Sequence, residues 1–236
     1  LEDLNTHKEN VLAIVSHDLR SPLSGIIGTA EYLKKNLDRL ESSKAKEMLD
    51  LLQKTAVDEL NMLDNLVEWA RIKYASEVFS PTKIVLFDYV EKVFESLHEM
   101  ASLNAIKLHN EIIPDTTVFA DGKMLISVFQ NILSNAIKHS LPEGEISVLA
   151  KIESEMIIIQ IKDCGIGMSK DVQETLFTPQ MSTLSKARKD NKGAGIGLLL
   201  VKGFLERNDG EIWVESEEGK GTSFYFTLPL EKPLYK

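Results

Sequence analysis

"GEISVLAKIESEMIIIQIKDCGIGM", residues 144–168, reads as two strands joined in a hairpin and closed by an acidic residue and two glycines. A second hairpin, "GEIWVESEEGKGTSFYFTLPL" at residues 210–230, turns at "EEGKG". Helical patterns lie around them: "DYVEKVFESLHEMASLN" (88–104), "DGKMLISVFQNILSNAIKHS" (121–140, opening at Asp121), "KDVQETLF" (170–177) and "GAGIGLLLVKGFLERN" (193–208). Two further strand candidates are "KIVLF" (83–87) and "IKLHNEI" (106–112), and a polar stretch runs from Thr178 to Lys192. Helices interleaved with strand hairpins predict a two-layer α/β sandwich whose mixed sheet has much antiparallel pairing, and argue against a doubly wound parallel sheet.

Upstream of Ser80 and Pro81 the period changes. From Leu4 to about Tyr74 the apolar residues keep helical spacing, interrupted only by Pro22, Gly25 and Gly28. One stripe runs through Leu12, Val15, Leu19, Leu23, Ile26, Ala30, Leu33 and Leu37; a second, after the polar "DRLESSKAKE", runs through Leu49, Leu52, Ala56, Leu60, Leu63, Val67 and Ala70. Two antiparallel helices cannot cover two such stripes, whereas two copies close a four-helix bundle, so a homodimer is expected. The predicted division is a helical hairpin at residues 1–76 and the α/β sandwich at residues 82–236. Within the first helix, His17 lies two residues from both Val15 and Leu19 and so points to solvent. Pro22 leaves the carbonyl of Asp18 without its helical donor, a bend costing about 3 kcal/mol.

Charge narrows the partners. Lys and Arg number 27 against 36 Asp and Glu, a net charge of −9, which disfavours nucleic acid and anionic membrane surfaces. A protein partner or a metal-neutralised phosphate ligand fits better. The 236 residues are 43% apolar, enough to bury a sizeable core in one or two domains. The single cysteine, Cys164, excludes an internal disulfide and a multi-cysteine metal site and is consistent with a reducing compartment. No run of about 18 apolar residues occurs and no signal peptide opens the chain, so a cytoplasmic location is expected, and Leu1 suggests a fragment of a longer protein.

Four short motifs of the second part carry chemistry. "DCGIGM" (163–168) sets a carboxylate beside glycine backbone that a flat ligand can approach; an acceptor there distinguishes the exocyclic amine of adenine from the carbonyl of guanine. "GAGIGL" (193–198) opens a helix whose N–H groups can receive phosphate, although its GxGxG spacing is not the dinucleotide fingerprint. "NILSNAIKH" (131–139) places Asn131 and Asn135 on one helix face, with Lys138 and His139 about a turn beyond. Neutral amide oxygens beside a triphosphate suit Mg²⁺, which prefers oxygen and keeps several waters. "GKGT" (219–222) is first a hairpin turn, with Thr222 as a polar contact. Taken singly, each motif has an ordinary structural reading as a turn, a solvated face or a packed helix.

In order, "SHDLRSPL", "NILSNAIKH", "DCGIGM", "LFTP", "GAGIGL" and "GKGT" resemble the H, N, G1, F and G2 boxes and the closing glycine-threonine turn of the sensor histidine kinases of two-component systems. The resemblance covers about Thr6 to Leu230. It implies a dimerisation and phosphoacceptor hairpin joined to a Bergerat-type ATP-binding domain. It further implies that His17 is phosphorylated from ATP and passes the phosphoryl group to an aspartate of a response-regulator receiver. By the same resemblance Asp18 accepts the other ring N–H of His17. Asn135, helped by Asn131, holds Mg²⁺, and Lys138, Lys192 and the amides of Gly193, Gly195, Ile196, Gly197 and Leu198 hold phosphates. Asp163, with Gly165 and Gly167, takes adenine, and Thr222 adds a polar contact. Ser182 to Lys192 resembles the ATP lid, with Lys186, Arg188 and Lys189 as further candidates.

The chain departs from the family pattern in three places. Phe177 lacks the second aromatic that usually follows it. Ser21 stands, four residues after His17, where threonine or asparagine is common in kinases that also dephosphorylate their partner, so a phosphatase role is an open expectation. His139 stands where many relatives have tyrosine. Two other readings remain at this level: a conformational ATPase, disfavoured because Asn131 replaces the general-base glutamate of such relatives, and a catalytically degenerate dimeric scaffold.

Overall fold

The computed structural model describes residues 23–74, 79–177 and 196–232. His17, Asp18, Ser21 and Pro22, and likewise Lys186, Arg188, Lys189, Lys192, Gly193 and Gly195, lie outside the described residues. The chain divides into a helical unit and an α/β unit.

In the helical unit, residues 23–36 form α1, a 3-10 turn covers Leu37–Arg39, and α2 runs over Ser42–Tyr74. The Asn36 amide donates to the Tyr32 carbonyl at 2.9 Å where α1 ends. The connection is shorter than the polar stretch suggests. From Ser42 onward "SSKAKE" is helical, because lysine, alanine and glutamate favour a helix whatever their charge. Leu33 is buried, but Leu23, Ile27, Leu49, Leu60 and Leu63 each leave 42–60% of their surface open.

The α/β unit comprises β1 (Thr82–Val85), α3 (Leu86–Leu103), β2 (Lys107–Asn110), β3 (Thr117–Ala120), α4 (Gly122–His139), β4 (Glu145–Glu153), β5 (Met156–Asp163), α5 (Lys170–Thr175), α6 (Ile196–Arg207), β6 (Ile212–Glu217) and β7 (Gly221–Pro229). The main sheet has the order β2-β4-β5-β7-β6; β2 pairs parallel to β4 and the other pairings are antiparallel, so the sheet is mixed. β1 and β3 form a separate antiparallel ladder. β3 is four residues with no turn dipeptide before its helix, and the sequence pattern does not single it out. The strand expected at "KIVLF" stops at Val85, because Leu86 is fully buried as the first residue of α3.

The core lies between helices and sheet. α4 buries Leu125, Val128, Phe129, Ile132, Leu133 and Ile137, a stripe at steps of one, three and four. Opposite them the inward positions of β5 are Ile157, Ile159 and Ile161, and those of β7 are Phe224, Phe226 and Leu228. Phe129 meets Phe226 edge to face, with ring centroids 5.5 Å apart. The strand period of two puts the next inward place of β5 at Asp163, so a carboxylate ends an apolar row on the helix side of the sheet.

Asp121 caps α4: its Oδ1 accepts from the N–H groups of Lys123 and Met124 at 3.0 and 3.2 Å. Its Oδ2 accepts from the Ser80 N–H at 3.1 Å, and its own N–H donates to Asn208 Oδ1 at 2.7 Å. One residue thus joins the chain at Ser80, the start of α4 and, through its backbone N–H, the residue that follows α6.

Replacing Phe129 by alanine removes a fully buried ring and its edge-to-face partner. The substitution is expected to cost about 3–5 kcal/mol, read as a lower urea midpoint for the transition that Trp213 fluorescence reports.

Candidate functional site

The site is built on the carboxylate at the end of β5. Asp163 is 4% exposed, and its Oδ1 accepts from the Gly165 N–H at 2.8 Å and the Thr222 N–H at 3.1 Å. Among the described residues no hydrogen bond reaches Oδ2, which leaves one carboxylate oxygen for a ligand donor. Burial holds the carboxyl above its ordinary pKa, while the Gly165 and Thr222 N–H groups and His139 pull it back down.

The glycines around it serve the chain's own packing. A Cβ on Gly165 would strike the His139 carbonyl, and one on Gly167, whose φ is +68°, would strike the Glu217 carbonyl. Gly221, at φ +98°, approaches the carbonyl of Asp163 in the same way. The expectation that Gly165 and Gly167 make room beside a ligand therefore gains a more basic reason: without them the loop 164–168 could not close on the β6–β7 hairpin. The closure is hydrogen-bonded. Gly219 N–H donates to the Ile166 carbonyl at 2.7 Å, Met168 N–H to Ser216 Oγ at 2.8 Å, and Ile166 N–H to the His139 carbonyl at 3.2 Å.

The last link ties the loop to the end of α4, the helix that carries the amides. Asn131 donates from Nδ2 to the Ser127 carbonyl at 2.9 Å, and its Oδ1 lies against Gly197 in the first turn of α6, where a Cβ would come within 2.5 Å. Asn135, half-buried four residues on, makes no side-chain hydrogen bond among the described residues. Lys138 and His139 are exposed in the last turn. Desolvation lowers the His139 pKa; the Asp163 carboxylate opposes this and Lys138 adds to it.

Of the sequence candidates, the structure gathers Asp163, Gly165, Gly167, His139 and Thr222 at one sheet end and sets Asn131 beside Gly197. Thr222 is 8% exposed, and its hydroxyl is 3.0 Å from Ser216 Oγ. Leu198 turns its side chain into the core, 8% exposed, so only its backbone is available to a ligand. Ile196 begins α6, and Phe177 is half-buried in the turn after α5. Two contributors escape the sequence reading. Ser216 anchors Met168, and Gln173 of α5 donates to the carbonyls of Met168 and Ser216, both at 2.9 Å. The only sign of Ser216 is a small polar residue at an inward place that Ile212 and Val214 otherwise fill; Gln173 leaves no sign.

Residues 120–232 match the family described as histidine kinase-, DNA gyrase B- and HSP90-like ATPase, and residues 7–75 match the His Kinase A (phospho-acceptor) domain. Among curated proteins the chain is similar to the autoinducer 2 sensor kinase/phosphatase LuxQ of Vibrio vulnificus (strain YJ016), 30% identical over 95% of the chain and 27% of LuxQ. It is also similar to the adaptive-response sensory kinase SasA of Synechococcus elongatus, 31% identical over 94% of the chain and 59% of SasA. The chain thus spans about a quarter of the LuxQ proteins it matches. Among solved structures, the fold is shared with Acinetobacter baumannii histidine kinase AdeS (TM-score 0.72, 17% identity, 92% of this chain and 98% of that one). It is shared also with histidine kinase ThkA in complex with response regulator protein TrrA (TM-score 0.69, 24% identity, 98% of this chain and 64% of that one).

A carboxyl whose folded pKa lies above its unfolded value contributes stability when protonated, and that contribution is lost as pH rises through the folded value. Asp163→Asn keeps an acceptor for both N–H groups and carries no charge. Without ligand it is expected to melt above the unsubstituted chain near neutral pH, and the advantage should shrink as pH falls through the raised Asp163 pKa, measured as Tm against pH.

Proposed function

We propose, for a chain that belongs to the sensor histidine kinases by its phospho-acceptor and ATPase-type domains, that it binds ATP at Asp163 and α4, phosphorylates His17 and passes the phosphoryl group to a response-regulator aspartate. The observation that carries this reading is Asp163: one oxygen is taken by two backbone donors, and the other is left without a hydrogen bond among the described residues. A carboxylate fixed in that way accepts from the adenine amine and rejects the guanine carbonyl.

The phosphate end falls to α4. Among the described residues no three His, Cys, Asp or Glu side chains gather as a metal site, so a cation here takes most of its ligands from phosphate and water, as Mg²⁺ does. Asn135, with its amide uncommitted, fits that role, with Asn131 beside it and Lys138 reaching phosphate oxygen. When bound, Mg²⁺ neutralises charge on the phosphates. A ring nitrogen of uncharged His17 attacks the γ-phosphorus, the bond from that phosphorus to the β–γ bridging oxygen breaks, and ADP leaves. Asp18 accepts the other ring N–H and stabilises the positive charge that develops. The lid residues Lys186, Arg188, Lys189 and Lys192 and the amides at Gly193 and Gly195 complete the phosphate contacts. A receiver carboxylate oxygen docked near His17 then takes the phosphoryl group as the P–N bond breaks, and the Ser21 hydroxyl orients a water that hydrolyses the resulting acyl phosphate to carboxylate and free phosphate.

The division into a dimerisation hairpin at residues 1–76 and a catalytic domain at residues 82–236 follows from this reading. No helix among the described residues is long and apolar enough to cross a membrane. Use of ATP as the phosphoryl donor supports a cytoplasmic site of action. Hydrolysis by attack of water fits less well, because Asn131 is no base and its amide nitrogen donates to Ser127.

Incubation with γ-labelled ATP and Mg²⁺ is expected to give an acid-labile, base-stable label that disappears in His17→Gln and drains into the cognate receiver; label on another residue, or free phosphate alone, would refute the assignment. The open apolar residues of the hairpin predict a dimer in sedimentation at micromolar concentration, and Leu60→Glu is expected to shift it toward monomer.

A further inference from the structure

We propose that Gln173 is a positioning residue for the nucleotide base, acting through the loop 164–168 on Asp163; the proposal rests on the reading of Asp163 as the group that holds adenine. The six-residue helix α5 buries no side chain, so apolar packing alone does not fix it. Its polar anchor is Gln173, whose Nε2 donates to the carbonyl of Met168 in the loop and to that of Ser216 in β6, both at 2.9 Å. An amide nitrogen has two hydrogens, and both are used. Ser216 meets the same loop residue from the other side: its hydroxyl accepts from the Met168 N–H at 2.8 Å and donates to the Gly221 carbonyl at 2.9 Å. Through these two bonds Gln173 joins α5, the loop and the β6–β7 hairpin.

The loop is therefore held at its far end by Gln173 and Ser216 and at its near end by Gly165, whose N–H fixes Asp163 Oδ1. Where Gly165 stands decides the direction in which Oδ2 is presented. Loosening Met168 lets that direction wander, which weakens recognition of the base and leaves the phosphate contacts on α4 in place. The signature is a loss of discrimination between purines at retained turnover.

Gln173→Glu is nearly isosteric but at pH 8 turns carboxylate oxygens toward two carbonyls, whereas Gln173→Lys still donates. The glutamate variant is expected to raise the KM for ATP about tenfold and to narrow the preference for ATP over GTP, with kcat for His17 labelling held at saturating ATP. The lysine variant should recover most of both, and Gln173→Ala should fall between them. An equal loss for ATP and GTP, an unchanged KM, or a lysine variant no better than glutamate would overturn the role. Asp163→Asn separates the two readings. If it loses the purine preference and Gln173→Glu does not, the positioning role alone fails. If Asp163→Asn keeps the preference, the adenine reading fails and the positioning role with it.

Discussion

The structure depends on holding one carboxylate inside a protein. Asp163 occupies the place in β5 that another isoleucine would fill by periodicity, and a buried charge there costs free energy unless donors meet it. The donors are backbone N–H groups, from Gly165 in the loop it begins and Thr222 in the neighbouring strand. Backbone donors carry no charge of their own and cannot swing away. They satisfy one oxygen and leave the other for a ligand.

Close backbone approach follows from that arrangement. The loop 164–168 must lie near α4 on one side and the β6–β7 hairpin on the other, and at Gly165, Gly167 and Gly221 any side chain would collide with a carbonyl. Glycine density at a nucleotide site is usually explained by the ligand. Here the first demand comes from the protein's own chain, and a ligand meets a surface already drawn tight. Gly197 extends the same logic to α6, whose first turn rests on the amide oxygen of Asn131.

Much of this was legible in the sequence. The hairpins at β4–β5 and β6–β7 and the mixed sheet followed from strand period and turn residues, and the helix opening at Asp121 from its apolar spacing, because those signals are local. β3 was not, since four residues paired in an isolated ladder carry little pattern. The early start of α2 was hidden by charged residues that suit helix and loop alike. At the site, the motif glycines and Asp163 stood out, but Ser216 and Gln173 act through backbone carbonyls and N–H groups brought together by the fold. No single-sequence spacing encodes a contact between residues 43 apart in the chain.

The bond from Ser80 N–H to Asp121 Oδ2 has a mechanical meaning. Ser80 stands where the chain enters the α/β unit, and Asp121 is also the cap of α4 and, through its own N–H, the partner of Asn208 at the end of α6. A pull or twist on the chain at Ser80 thus meets the root of α4, the helix that carries Asn131, and the end of α6, as a lever is worked from its fulcrum end. Neither bond passes through the main sheet.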